Sequence, residues 1–344
     1  MKLLSTFEYN KLIRKVQHNK LIRKIYILWI EPIQHFIDGV FAMRYLRNHY
    51  EGDIVVSGLA IGDDVYGMAY LKSFKALSNN RIVFVGSASR KMFYESYNDA
   101  FDELCLFEKD DALWRKINLY YHTSRFLIKQ GQKINIYSTI PIYYLSPDKN
   151  RGRDALDIIR NDLLHIGNKA IIEYPNITYG VVRAIDNFDV IKDKIVVLNP
   201  YSGSMIWVDN NLFERIADFL IANGFYVYTN VVGEQAPIKG TQSLNCSIYE
   251  LYEICNHIPF VISVRSGILD FCVTAKSNFL VYYFSMKTKA FQPLRGFYST
   301  YTLKAWRTNN VTECIYESLE GAYRDFLNFY NMQSLRSSKI QIIN

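Results

Sequence analysis

Five cysteines in 344 residues, with no CxxC pair among them, leave little material for a disulfide framework or a zinc site. Cys105, Cys246, Cys255, Cys272 and Cys314 sit mostly in apolar runs, so free thiols in a reducing, cytosolic setting are expected. The histidines His18, His35, His49, His122, His165 and His257 show no HExxH spacing, and no metal or other cofactor is expected. The absence of a GxxxxGK[ST] loop argues against P-loop phosphate hydrolysis, and the absence of a GxSxG elbow argues against an α/β-hydrolase nucleophile. No uncharged apolar run approaches the roughly 20 residues needed to span a bilayer, and no cleavable signal peptide stands out. Tyr and Phe are plentiful, but they do not interleave with Lys and Arg as an RNA-binding stripe would, so no nucleic-acid partner is expected.

What is present is a chain long enough for two cores, 49% hydrophobic and 21% charged. Its net charge of +7 favours anionic partners such as sugar nucleotides or an acidic membrane face, and the excess reads as spread along the chain. Asn10 to Lys15 returns as Asn19 to Lys24, nine residues later. Nine helical steps of about 100° turn the second copy to the opposite side, so the two Leu-Ile pairs do not form one stripe. Residues 1–50 are expected to be a basic, partly apolar helical segment that runs through Ile25 to Ile30 and stops near Pro32.

From Asp53 onward strands and helices alternate. Ile54 to Leu59 reads as a strand, Ala60 to Asp64 as a turn and Val65 to Leu77 as a helix. Strands follow at Arg81 to Gly86 and Glu103 to Phe107, with a weaker one at Ile134 to Tyr137. Tyr174 to Asp193 has little periodicity and reads as the linker. The alternation then resumes: strand Ile195 to Leu198, loop Asn199 to Ser204, helix Asn211 to Asn223, strand Tyr226 to Thr229, helix Ile248 to Asn256 and strand Phe260 to Ser263, followed by a helix and the strand Phe279 to Tyr283. The pattern predicts an α/β protein with a parallel, doubly wound sheet in each half, over residues 51–180 and 190–312. A C-terminal helix is expected over 313–332, with Ile315, Leu319, Ala322, Tyr323, Phe326 and Leu327 at helical spacing.

The run Phe260 to Val264 ends abruptly in Arg265, Ser266 and Gly267. A buried strand that stops at a hydroxyl and a glycine before a helix presents N–H groups where anions bind, and Arg265 would add a bidentate phosphate donor. The bland alternative is a structural ion pair, with Asp270 as the partner.

The order of these elements resembles the bacterial heptosyltransferases of glycosyltransferase family 9, and more loosely the GT-B glycosyltransferases of surface-polysaccharide assembly. Gly62-Asp63 looks like the family's Gly-Asp turn, and Asn199-Pro200 with Ser202-Gly203-Ser204 looks like its Asn-Pro-Gly loop. Gly233-Glu234 looks like its Gly-x-x-Glu region, and Arg265-Ser266-Gly267 stands in the place of its Asp-Ser/Thr-Gly donor-phosphate loop. Only Trp207 remains of the family's Lys-Arg-Trp element, and Asp270 stands near the place of its His.

The resemblance implies two Rossmann-like domains facing a cleft, with a final helix that packs near the domain junction. It also implies an inverting, metal-independent transfer of a sugar from a nucleotide-sugar donor to a glycan or lipid-linked acceptor, at the cytosolic face of a membrane with peripheral association. Asp63 would be the catalytic base with Asp64 in reserve; the alternative for Asp63 is a helix cap. Ser202, Gly203, Ser204, Glu234, Arg265, Ser266, Gly267 and Asp270 would hold the donor. A pyruvyl- or fucosyl-type transferase and a non-catalytic glycan-binding relative are the alternatives. The Asp63 turn and the Arg265 loop are expected on opposite walls of one cleft that closes about the linker.

Overall fold

The computed structural model describes residues 31–58, 61–108, 110–118, 136–138, 156, 159–167, 170–175, 177, 179–202, 209–284 and 310–341. The repeat at 10–24 and the apolar run at 25–30 lie outside the described residues, as do Gly203, Ser204 and Trp207.

The first half contains α1 (Glu31–His49), β1 (Asp53–Val56), α2 (Ile61–Met68), α3 (Leu71–Leu77), β2 (Ile82–Ser87), α4 (Lys91–Glu95), β3 (Glu103–Phe107), α5 (Ala112–Asn118) and β4 (Ile136–Ser138). Its four strands are parallel, in the order β3-β2-β1-β4. The second half contains α6 (Phe188–Ile191), β5 (Ile195–Asn199), α7 (Asn210–Ala222), β6 (Tyr226–Asn230), β7 (Gln242–Leu244), α8 (Ile248–His257), β8 (Phe260–Val264), α9 (Gly267–Cys272), β9 (Asn278–Phe284), β10 (Val311–Tyr316) and α10 (Leu319–Gln341). Its six strands are also parallel, in the order β10-β9-β8-β5-β6-β7.

The central strands are continuous apolar runs because helices cover both faces of a parallel sheet. In the second sheet Val196, Leu198, Phe260, Ile262, Leu280 and Tyr282 pack with α7 and α10, whereas Val197, Val261, Phe279, Val281 and Tyr283 face the other way, toward α8 and α9. That second set does not end at the domain boundary. It belongs to one cluster with Val55, Phe84, Tyr66, Phe74 and Phe93 of the first half, and with Ile177, Ile185 and Phe188 of the linker. Phe93 meets Phe271 edge to face at 5.5 Å, and the Phe93 N–H donates to Tyr249 Oη at 3.2 Å. The linker is fastened as well, since Glu250 Oε1 accepts the backbone N–H groups of Arg183 and Ala184 at 2.6 and 2.8 Å.

Four expectations are corrected. The helix after β1 begins at Ile61, so Gly62, Asp63 and Asp64 form its first turn rather than a preceding loop, and it breaks at Ala69-Tyr70 before α3. Pro32 does not mark a helix end, since it lies in the first described turn of α1 and the helix runs past it to His49. Ile315 lies in the edge strand β10, not in a helix. Finally, α10 does not sit at the domain junction: Ala322, Phe326 and Phe329 pack with α7 and the second sheet, on the side away from the shared cluster. Among the described residues no helix is long and apolar enough to cross a membrane.

Candidate functional site

In open parallel sheets, ligands bind beyond the carboxyl ends of the strands. Here the two carboxyl ends that matter are β1 leading into α2 and β8 leading into α9, and they touch. A Cβ built on Gly62 would lie 3.2 Å from Gly267 Cα and 2.6 Å from Asp270 Oδ2, while one built on Gly267 would lie 3.4 Å from Gly62 N. Glycine at position 62 is thus required by close approach. The Gly62-Asp63 segment and the Arg265 loop, expected on opposite walls of a cleft, are in direct contact.

Behind Gly62, Asp64 is fully buried and its carboxylate is held by four donors. Gly58 N–H donates to Oδ1 at 2.7 Å, while Ser57 Oγ, Tyr94 Oη and Arg90 Nη1 donate to Oδ2 at 3.0, 2.8 and 2.6 Å. Arg90 Nη1 also donates to Gly58 O at 3.0 Å. Asp64, the reserve base of the sequence reading, anchors the β1–α2 connection from a fully buried position. The backbone of Asp63 lies in the first turn of α2; its side chain lies outside the described residues.

Arg265 is also buried, 3% exposed. Its Nη2 lies 2.5 Å from Asp270 Oδ1 and donates to Tyr66 Oη at 3.0 Å, and its Nη1 donates to Ser266 O at 2.8 Å. Tyr66 in turn donates to Asp270 Oδ1 at 2.7 Å, so a residue of α2 completes an ion pair built in the second half. Burial pushes the Asp270 carboxyl above the usual carboxylate range, against the pull of Arg265 and Tyr66. Burial likewise raises the Tyr66 phenol well above its ordinary value. Arg265 and Asp270, expected to contact a donor, are paired with each other in this structure, the cation after β8 finding its anion in α9, the helix that follows.

The remaining edge of the second sheet is a buried polar row. Asn230 Nδ2 donates to Asn199 Oδ1 at 2.9 Å, and Asn199 Nδ2 donates to Ser263 Oγ at 2.9 Å and to Ser266 Oγ at 3.4 Å. Ser266 caps α9, its Oγ accepting the Leu269 N–H at 3.3 Å, and Gly267 opens that helix. Ser202 follows β5 and is half-buried, and Glu234 is exposed on the loop after β6, next to Gly233 at φ +64°. Sequence reasoning missed Tyr66, Arg90, Tyr94, Asn230 and Ser263. Only the carboxyl-end positions of Asn230 and Ser263, each at the end of an apolar strand, signalled them. Among the described residues no cluster of three or more His, Cys, Asp or Glu is placed to hold a metal ion.

No protein-family model and no curated protein sequence matches the chain. Among solved structures it is similar to the glycosyl transferase family 9 protein of Veillonella parvula DSM 2008, at 15% identity over 76% of this chain and 85% of that one, with a TM-score of 0.52. It is also similar to the E. coli ADP-heptose lps heptosyltransferase II, at 10% identity over 83% of this chain and 99% of that one, with a TM-score of 0.53. At such identities the likeness is one of fold. The chain has the GT-B architecture, two parallel α/β sheets joined at their carboxyl ends.

Proposed function

We propose that the chain is a glycosyltransferase that takes a nucleotide-sugar donor at the carboxyl edge of the second sheet and passes the sugar to a glycan or lipid-linked acceptor presented by the first. The observation that carries this reading is the meeting of the first turns of α2 and α9 at Gly62 and Gly267, which brings an acid-bearing turn beside a helix N-terminus. In the proposed step an acceptor hydroxyl attacks the anomeric carbon. The new C–O bond forms as the bond to the diphosphate breaks, and the hydroxyl proton passes to the Asp63 carboxylate. The departing nucleoside diphosphate takes the bonding electrons. Backbone N–H groups at Gly267 and in the Ser202-Gly203-Ser204 loop offset its charge, Ser266 positions that helix end, and Glu234 accepts from the ribose. The displacement is single and inverting, with no metal in the step, and surface-polysaccharide assembly is the setting.

A non-catalytic glycan-binding protein is the second reading. It is favoured by one observation: the cation at the donor edge, Arg265, is committed to Asp270.

Hydrolysis and transfer assays across a panel of sugar nucleotides separate the two readings. Turnover with at least one donor is expected, and Asp63→Asn should lower it by about 10²–10⁴ while leaving donor affinity by calorimetry unchanged. Near-normal turnover in that variant would remove Asp63 from the mechanism. Glycan binding with no turnover of any donor would favour the second reading.

A further inference from the structure

One face of α1 is buried: Ala42 and Leu46 pack with Ile54, Val56, Trp114 and Ile117 beneath the first sheet. The opposite face is apolar too. Ile33, Ile37 and Phe41 recur every four residues and are 58%, 55% and 49% exposed, forming a ridge along the outside of the helix. Exposed Arg44 and Arg47 continue the same side toward its C-terminus, and Lys116 from α5 sits 4.4 Å over the Phe41 ring. A count by segment also corrects the even charge spread expected from the sequence. Residues 1–30 hold seven Lys or Arg and one Glu, so six of the chain's net +7 charges precede this helix.

An apolar ridge flanked by basic residues is the chemistry of a surface that meets anionic lipid. We propose that α1 and the basic residues ahead of it dock the protein on an anionic lipid bilayer. The Ile33-Ile37-Phe41 ridge enters the boundary between headgroups and acyl chains, and the lysines and arginines contact lipid phosphates. Nucleic acid would use the charge but not the ridge. A second copy of the chain would use the ridge but would bring two strongly positive segments together. The inference goes beyond the transfer reading and needs no donor, so its test is read separately from that reading.

The full chain is sedimented with phosphatidylcholine vesicles that contain or lack phosphatidylglycerol. Binding is expected only where phosphatidylglycerol is present, and high salt should weaken it. Ile33→Ser combined with Ile37→Ser and Phe41→Ser should lower the partition coefficient at least about tenfold without moving the melting temperature, because these side chains are already exposed. Lys11, Arg14, Lys15 and Lys20 changed together to Gln should produce a loss of roughly the same order. Failure to bind either vesicle, equal binding to both, or unchanged partition of the ridge variant would overturn the proposal. A concentration-dependent dimer that the ridge variant abolishes would overturn it in favour of a second copy.

Discussion

At the carboxyl end of a central strand in each sheet an aspartate, an arginine and a tyrosine meet, and the two sets do different work. Asp64, Arg90 and Tyr94 all come from the first half and hold a single loop, the β1–α2 connection. Arg265 and Asp270 come from the second half, but their tyrosine, Tyr66, comes from the first, so this set holds one domain to the other. They also differ in exposure: the Arg90 side chain is 18% exposed, whereas both members of the Arg265–Asp270 pair are at 4%. The same three residue types thus make a local anchor when drawn from one domain and a clamp when drawn from two.

Removing the cation from each set should break the symmetry most. Arg265→Ala leaves a fully buried carboxylate without its counter-ion, and urea unfolding should show a loss of about 3–5 kcal/mol. Arg90→Ala should cost less, about 1.5–3 kcal/mol, because Asp64 keeps its bonds to Gly58, Ser57 and Tyr94. Equal losses would mean that the clamp contributes no more than the anchor.

The contact beside the clamp offers a smaller effect. Gly62→Ala drives a methyl toward the Asp270 carboxylate, which cannot retreat without disturbing its pair, so a cost of about 1–3 kcal/mol is expected. Gly267→Ala has its nearest contact at Gly62 N, 3.4 Å away, with Gly62 Cα and Ile61 Cγ2 at 3.8 Å, and should be milder in the same thermal-melting series. The reverse order would place the tighter surface on α9.

The smallest expected effect is a slope. Burial raises both Tyr66 and Tyr94 above the ordinary phenol value near 10, so each stays protonated in the folded chain at a pH where the unfolded chain ionises. The stability tied to each phenol is complete below about pH 10 and is lost as pH rises beyond it, at about 1.4 kcal/mol per pH unit per tyrosine. Tyr66→Phe and Tyr94→Phe should each remove one such increment from the alkaline stability curve. A variant with an unchanged slope would show that its phenol already ionises in the native state.

Much of the fold was legible because buried parallel strands are long apolar runs with abrupt polar ends: β3 falls where expected, and β5, β8 and β9 differ only by a residue at one end or both. What escaped was short, at an edge, or set by distant contacts. The strand β7 has three residues, and β10 carries Thr312 and Glu313 among apolar residues whose spacing continues into α10 and so mimics a helix. Gly62, Asp63 and Asp64 read as a turn from composition alone; they are helical because α9 packs against that end, and glycine serves the close approach. Asp270 was visible as a partner for Arg265 because it lies only five residues on in sequence. Tyr66 was not, being 199 residues from Arg265 in sequence and adjacent only after both sheets have formed.

The apolar cluster that runs from Val55 and Phe84 to Val261 and Phe279 has a consequence for biosynthesis. As the chain leaves the ribosome, the first four strands are complete by Ser138, yet the faces of α2 and α4 that meet α8 and α9 lack those partners until helices more than a hundred residues later emerge. Contacts of such sequence separation form late. The nascent first half must therefore wait with its inner face wet. A fragment ending at residue 180 should be aggregation-prone in the absence of the second half, and coexpression with residues 181–344 should restore it to solution.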